Sequence, residues 1–368
     1  RFLRVSHLEE ADNQQAEVLL DNADNALTTL DFESFQGVIS YGIRTASGDE
    51  YSDTAPLKAV SQQLISEQGH LYCLLNLIGT SNIMSIEEAV VDYTPPAGDS
   101  RTIKTLISAI AGGTYTPFVG YGAITVTYDS EDSLLDSYKP GDSFSIRTGN
   151  SRIRKIKELL ELTGSYMRME DDGAIHILDP VITGTTYDYE YVLASAGDHT
   201  FYLKNLRKRV VAPNKVIVKS RDGDTPEYTG SATSATSFAL QPLINTRQVF
   251  LASNAQADSI AAAMIEKSEL DSEKASAIVP MNVGQEVLDY IKITDVRQND
   301  NITGNIQSLR RICDARRPEF KMELKFGKMS SMSMIPTPPI SMLDIPDIGM
   351  PGAGGGLTDE QIMAMFQA

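Results

Sequence analysis

Hydrophobic and polar residues alternate with a period of two near the end of the chain. In FKMELKF (320–326), Phe320, Met322, Leu324 and Phe326 alternate with three charged residues. Successive side chains of a strand point to opposite faces, so we expect this row of four to face a core and the charged residues to face water. The segment therefore predicts a half-buried strand.

Comparable apolar runs predict that most of the chain is β-structure. The continuous run LYCLLNLIG (71–79) is typical of a strand buried on both faces. The first predicted strand, within 16–32, stops at Asp21-Asn22, because both residues favour turns. The other predicted strands are 35–43, 123–128, 213–223, 237–243, 246–252, 274–282, 290–298 and 304–312.

A period near 3.6 predicts four helices. Residues 54–69 place Leu57, Val60 and Leu64 on one face, and Gly69 is the expected terminator. The other helices are predicted at 101–113, with Ile103, Leu106, Ile107 and Ile110 on one face; from Asn150 to Gly164, with Ile153, Ile156, Leu159 and Leu160; and from Ser253, where Gln256 completes a capping box.

The stretch YMRMEDDGAIHI (166–177) contains two adjacent acids, Asp171 and Asp172, before Gly173. Asp-Gly between two alternating segments is a strong signal for a β-hairpin, because both residues adopt positive φ. Catalytic carboxylate pairs instead need a concave site and a defined separation across a substrate. We therefore predict a hairpin with the acids at its exposed tip and no bound metal.

Charge and cysteine content exclude several classes of protein. The net charge is −17; residues 1–180 carry 27 acidic and 13 basic side chains, which argues against a basic nucleic-acid-binding face there. Cys73 and Cys313 lie in apolar surroundings and predict reduced thiols rather than a disulfide framework. No apolar run is long enough to span a bilayer and no N-terminal segment resembles a signal peptide, so we expect no membrane span.

Motifs for chemistry are weak. GDSFS (141–145) matches only three residues of the nucleophile block of GDS-type hydrolases. SRDGDTPE (220–227) spaces its acids like a calcium loop but lacks the bidentate glutamate and the flanking helices, so it predicts a turn. Neither a phosphate loop nor a dinucleotide fingerprint occurs. We therefore predict no cofactor, no catalytic residue and a structural role.

Four segments together resemble phage tail proteins of the baseplate-hub (tail-hub) family. They are EVLLDNADNALTTLDF near the start, RKIKELLELTGSYMRMEDDGAIHIL in the middle, APNKVIVKSRDG, and the final VGQEVLDYIKITDVRQNDNITGNIQSLRRICDARRPEFKMELKFG. The resemblance covers most of residues 10–328. The family is similar to the hub of contractile-tailed phages and to the base of type VI secretion spikes, and this chain lacks a lytic-enzyme insertion.

The resemblance implies a fold that is mainly β with α+β insertions and has two β-barrel domains. The expected domains are 1–95, a barrel with an inserted helix; 96–180, an α+β module; 181–328, a second barrel; and 329–368, an extended tail. It also implies a homotrimer whose two barrels per chain form a pseudo-sixfold ring. That ring would join the tail tube or distal tail protein to a spike or tail fibre in the virion, with assembly in the host cytoplasm and with genomic DNA passing through the lumen. From the acidic charge of the chain we expect an acidic lumen, which would keep the passing DNA from binding.

Two alternatives stay open. Within structural proteins, the alternative is a distal tail ring or another baseplate subunit. In a different class, it is a glycan-binding module or glycosidase on a β scaffold, which the absence of tryptophan disfavours because stacking aromatics are expected there.

The C-terminal tail, 332–368, carries its own signal. Its Pro-rich part predicts an extended chain, and 352–356 is Gly-rich enough to form a flexible joint. LTDEQIMAMF then predicts a short helix with a capping box. We predict that this helix docks on a partner through Leu357, Ile362, Met365 and Phe366.

Overall fold

The computed structural model describes residues 1–193, 200–208, 210–298, 300–317 and 319–326. Its strands are β1 (Phe2–Glu10), β2 (Asn13–Asp21), β3 (Gln36–Gly37), β4 (Ser40–Thr45), β5 (Gly48–Asp53), β6 (Leu57–Glu67), β7 (His70–Gly79), β8 (Val126–Tyr128), β9 (Tyr166–Met169), β10 (Ile175–Leu178), β11 (Tyr189–Leu193), β12 (Leu203–Lys208), β13 (Lys215–Lys219), β14 (Thr229–Thr233), β15 (Ile244–Gln248), β16 (Glu273–Pro280), β17 (Tyr290–Asp295), β18 (Asp300–Asp314) and β19 (Glu319–Phe326). Its helices are α1 (Thr80–Ile86), α2 (Ile103–Ala111), α3 (Ser133–Ser137), α4 (Arg152–Leu160), α5 (Ala235–Leu240) and α6 (Asn254–Ser272).

One large sheet dominates the fold. Its strand order is β12-β16-β19-β18-β1-β2-β7-β6-β3, and β17 and β11 extend it from β18. Within the described residues no pairing joins the two ends, so the sheet is open and neither predicted barrel is closed. The prediction of a mainly β fold is confirmed.

The described residues form two hydrophobic cores. The large sheet packs its inner side chains, among them Val5, Leu309 and Leu324, into one core. The second core combines α2, α4 and α6 with the small sheets β8-β10-β9 and β14-β13-β15. The middle module thus shares its interior with the segment inserted between β12 and β16.

The large sheet contains an internal repeat. The first repeat is β1, β2, β3, β6 and β7, and the second is β12, β16, β17, β18 and β19. In each, the first strand pairs with the second, the second with the fifth, the fifth with the fourth and the fourth with the third, always antiparallel. The pairing pattern and the order along the chain are therefore the same in both halves.

Irregular details of the backbone repeat as well. The fourth strand is bulged at Val60 in the first repeat and at Gln307 in the second, each seven residues before the last paired residue. Ser34 (φ 69°) and Leu288 (φ 75°) both lie in the left-handed region just before the third strand. Each donates its backbone N–H to the residue before the bulge, at 2.9 and 2.6 Å. The similarity of the two repeats therefore extends beyond strand order to the bulge, the left-handed residue and the hydrogen bond that joins them.

The helix predicted at 54–69 is wrong, because these residues form strand β6. Leu57, Val60 and Leu64 are spaced by three and four residues, which imitates a helical period, and the bulge at Val60 interrupts the two-residue alternation that would indicate a strand. Gln68 and Gly69 both have positive φ and form the two-residue turn of the β6–β7 hairpin, rather than a helix end.

Other local predictions also need correction. The strand predicted at 237–243 is helix α5, which ends at Leu240, two residues before Pro242. Helix α4 begins after Ser151, one residue later than expected. It ends before Gly164, whose φ is not positive, so Gly164 is not its left-handed terminator. Strand β7 is partly accessible rather than buried on both faces.

The remaining amphipathic patterns are confirmed. The predicted apolar faces of α2 and α4 are buried, and Gln256 donates its backbone N–H to the Ser253 hydroxyl at the start of α6. Of the row in β19, Met322, Leu324 and Phe326 are buried, whereas Phe320 is 36% exposed because it lies at the open end of the strand.

Candidate assembly surfaces

The two repeats meet at a junction where β1 pairs with β18. Seven residue pairs form this antiparallel ladder, from Arg4 opposite Asp314 to Glu10 opposite Ser308. The first strand of one repeat is thus hydrogen-bonded to the outer edge of the fourth strand of the other. This junction shows how one repeat joins the next.

A buried ion pair stabilises the junction. Arg311 Nη1 donates to Glu9 Oε2 at 2.5 Å, and its Nη2 donates to the backbone carbonyl of Gln285. The Arg311 guanidinium also lies 5.3 Å from the ring centroid of Tyr41. Beside it, burial lowers the pKa of His7 to about 4, although the carboxylate of Glu9 acts in the opposite direction. His7 is therefore neutral at pH 7.

Two edges of the large sheet, one from each repeat, have no partner strand among the described residues. Beyond the two residues that β3 covers, no strand in the described part of the chain pairs with the outer edge of β6, residues 60–67. The same holds for the outer edge of β12, which pairs only with β16. Val60 and Leu64 on β6 are each 49% exposed. Unpaired, apolar sheet edges are sites of association between chains.

The β4–β5 hairpin is a second exposed surface. Among the described residues its strands pair only with each other, and Ile43 and Tyr51 are 45% and 73% exposed. Tyr41 anchors the hairpin by contributing its ring to the core at the junction. An isolated hairpin is marginally stable in water, so a neighbouring surface would stabilise it.

The opposite face of the large sheet forms an open groove of about 540 Å³. Arg4, Glu17, Arg310 and Asp314 line it together with smaller polar and apolar side chains. Arg4 and Glu17 are paired with each other. The groove therefore carries both charges rather than a single sign.

The hairpin of residues 166–178 forms as predicted, and Gly173 has φ 77° at its turn. Asp171 is exposed. Asp172 is exposed as well, as predicted, and it also accepts hydrogen bonds from the Ala174 N–H (2.8 Å) and from His176 Nε2 (3.2 Å). Asp172 thus has a structural role that the sequence did not reveal.

Asp129, Glu170 and His176 bring three potential metal ligands within 4.8 Å of one another. His176 Nδ1 is 2.8 Å from Asp129 Oδ2, and Glu170 is paired with Arg168 at 2.6 Å. Burial lowers the pKa of His176, but its hydrogen bonds to Asp129 and Asp172 and the charge of Glu170 outweigh burial, so the net pKa is raised. Arg168 already pairs with Glu170, and both ring nitrogens of His176 are engaged by the carboxylates of Asp129 and Asp172, so the cluster is satisfied by protein groups.

The other candidate residues lie apart from one another. Ser143 of the GDSFS segment lies in a 3-10 turn and donates its hydroxyl to the carbonyl of Pro140. Cys73 is buried, Cys313 is half-buried, and both are free thiols. No helix in the described ranges is long and apolar enough to cross a bilayer. The predicted docking residues Leu357, Ile362, Met365 and Phe366 lie outside the described residues.

Comparison with known proteins identifies the fold. No family model matches the chain, and no curated protein matches it in sequence. The fold is similar to that of a tail protein from Neisseria meningitidis MC58, with 10% identity, a TM-score of 0.62, and coverage of 89% of this chain and 92% of that one. It is also similar to the 43 kDa tail protein of prophage MuSo2 from Shewanella oneidensis, with 11% identity, a TM-score of 0.56, and coverage of 89% and 94%.

A third structure widens the comparison. The fold is also similar to that of an E. coli component of the type VI secretion system, which is described as structurally similar to the T4 bacteriophage tail proteins gp27 and gp5. The identity is 8%, the TM-score is 0.50, and the similarity covers 90% of this chain and 74% of that one. The chain therefore has the fold of phage tail proteins and of a related type VI secretion component. The expected resemblance to the tail-hub fold is confirmed.

Proposed function

We propose that this protein is the tail hub of a phage-like particle. In this role it is a structural virion protein, without catalysis, that forms a homotrimeric ring in the baseplate. The ring joins the tail tube or distal tail protein on one side to a spike or tail fibre on the other. The fold similarity to tail proteins supports a location in the virion tail.

The internal repeat is the observation that carries the proposal. A tail tube has sixfold symmetry and a spike has threefold symmetry, as the family resemblance implies. Three copies of a chain with two equivalent repeats supply six similar units on a threefold axis. The junction between β1 and β18 joins different edges of the two repeats, so it is a head-to-tail contact, and such contacts generate rings when the rotation closes.

The repeat also supports the proposed domain organisation. The first repeat falls within residues 1–95 and the second within 181–328, the two segments proposed as barrel units. We propose that 96–180 is an α+β module on the outside of the ring. Residues 329–368 are proposed as a tether whose helix docks on the next tail component through Leu357, Ile362, Met365 and Phe366.

We further propose that the groove face of the large sheet lines the channel for DNA. DNA affinity rises with each unpaired basic contact to phosphate. Arg4 is paired with Glu17, and Arg310 and Arg317 share this face with Asp314 and Glu319. Because basic and acidic side chains are equal in number there, this face would offer DNA little net attraction.

The experiment that tests the proposal is the mass and symmetry of the assembled particle. Native mass spectrometry of the purified full chain should give a trimer, and electron microscopy should show a threefold ring with six similar lobes at the end of the tail tube. A ring of six copies would instead identify a distal tail ring. A monomer whose melting temperature rises with added oligosaccharide would identify a glycan-binding module and refute the hub.

A further inference from the structure

We propose that the outer edge of β6 pairs with the outer edge of β12 in a neighbouring copy of this chain, in the register of the β1–β18 junction. This inference rests on the proposed ring and specifies the contact that closes it. The occupant of both edges is thus a second copy of the same chain.

The two edges correspond by position in the repeat. β6 and β18 are the fourth strands, and matching their bulges aligns Glu67 with Asp314 and Val60 with Gln307. β1 and β12 are the first strands. In each repeat the pairings run from the fourth strand through the fifth and the second to the first. Equivalent positions on the two fourth strands lead to Val5 in the first repeat and to Lys204 in the second, so these two residues are aligned. The outer edge of β18 is occupied by β1, so the outer edge of β6 is the place for β12.

The alignment predicts an exact register between copies. Arg4 lies opposite Asp314 and Ser6 opposite Ile312 in the junction, so Leu203 should lie opposite Glu67 and Asn205 opposite Ile65. Strand direction agrees, because first and fourth strands run antiparallel in the junction. β3 pairs with Leu57 and Lys58, and Ser34 and Phe35 bond the backbone of Ala59. Residues 60–67 of β6 then have no partner strand in the described part of the chain, as β17 leaves residues 308–314 of β18 for β1.

Exposure indicates that β6 is prepared for a partner. Arg311 and Gln307 of β18 are buried where the chain completes the junction. The equivalent residues of β6, Leu64 and Val60, are apolar and each 49% exposed. A strand paired with residues 61–67 would lie beside Leu64 and satisfy a row of unpaired backbone groups. The junction within a copy is therefore polar and buried, whereas the junction between copies is apolar on the β6 side.

Paired cysteines test the register. In a background with Cys73→Ala and Cys313→Ala, we would combine Ile65→Cys with Asn205→Cys and oxidise the purified full chain. Residues directly opposite each other on antiparallel strands have Cβ atoms about 4.5–5.5 Å apart, whereas diagonal neighbours lie about 7–8 Å apart. The matched control combines Gln63→Cys with Asn205→Cys, which keeps the same sheet face but shifts the pairing by two residues. Each single-cysteine variant is a second control.

The expected result is a ladder of covalent dimer and trimer on a non-reducing gel for the Ile65–Asn205 pair, and mostly monomer for the control. Stronger cross-linking of the Gln63–Asn205 pair would refute the register. No cross-link in either variant, although native mass spectrometry shows a trimer, would refute the strand pairing and leave the hub intact. A monomeric mass for the unmodified chain would refute the hub as well.

Discussion

The buried pair of Glu9 and Arg311 should be worth several kilocalories per mole to the junction between the repeats. Both side chains are buried, and their charged groups are in direct contact at 2.5 Å. With charge centres roughly 4 Å apart and an effective dielectric constant near 20, the attraction is about 4 kcal/mol. Removing one partner of such a pair leaves a buried charge without compensation and typically costs about 3–5 kcal/mol.

We therefore expect Glu9→Met and Arg311→Met each to lower the free energy of unfolding by about 3–5 kcal/mol. The double variant should cost less than the sum, with a coupling energy of about 1–3 kcal/mol, because no isolated charge remains. The assay is urea unfolding at pH 7 with linear extrapolation, applied to both single variants and the double variant.

The matched control is the exposed pair of Arg44 and Asp49, whose side chains are 83% and 65% exposed. Because water surrounds both side chains, Arg44→Met should change stability far less than either variant of the buried pair. Single-variant costs below about 1 kcal/mol at Glu9 and Arg311, or strictly additive costs, would show that solvent reaches the pair and that the reasoning from burial is wrong.

Three further predictions address other parts of the chain. Leu324→Ala should cost about 2–5 kcal/mol by creating a cavity, while Phe320→Ala at the exposed end of the same row should cost much less, and equal costs in thermal unfolding would contradict the burial pattern. Because the pKa of His176 is raised in the folded state, its contribution is full below its unfolded pKa of about 6.5 and is lost as pH rises through the folded value. The stability difference between the wild type and His176→Gln should therefore shrink from pH 5.5 to pH 8.5, and a pH-independent difference would contradict the charged cluster. Deleting residues 350–368 should leave the thermal stability of the ring unchanged but weaken its co-purification with the next tail component, and normal tail assembly by this variant would refute the tether.

The sequence predicted elements wherever a pattern was regular. The rows in α2, α4 and β19 and the Asp172-Gly173 turn follow from local periodicity and turn chemistry, so they needed no knowledge of the fold. The bulge at Val60 is a different case, because it interrupts the alternation, and the spacing of Leu57, Val60 and Leu64 imitates a helix. A two-residue turn at Gln68-Gly69 was the available signal for a hairpin at that place.

The repeat was not visible in the sequence, because its halves share positions rather than residues. Over the matched fourth strands, 58–67 and 305–314, only Ser61 with Ser308 and Ile65 with Ile312 are identical. Bulges and left-handed residues leave almost no sequence signal when Ser34 and Leu288 adopt the same φ. Consequently the candidate surfaces, which depend on unpaired edges, could be located only from strand pairing.

Synthesis order has a consequence for how the junction between β1 and β18 is made. The first repeat is complete at Gly79, but β18 ends at Asp314, 235 residues later. At about 5–20 residues per second, the edge of β1 stays uncovered for roughly 12–47 s on the ribosome. During that time Glu9 makes wrong partners costly, because a strand without a cation at the position of Arg311 would bury a lone carboxylate. The same ion pair that holds the finished sheet together thus also selects, during synthesis, which strand the first repeat accepts.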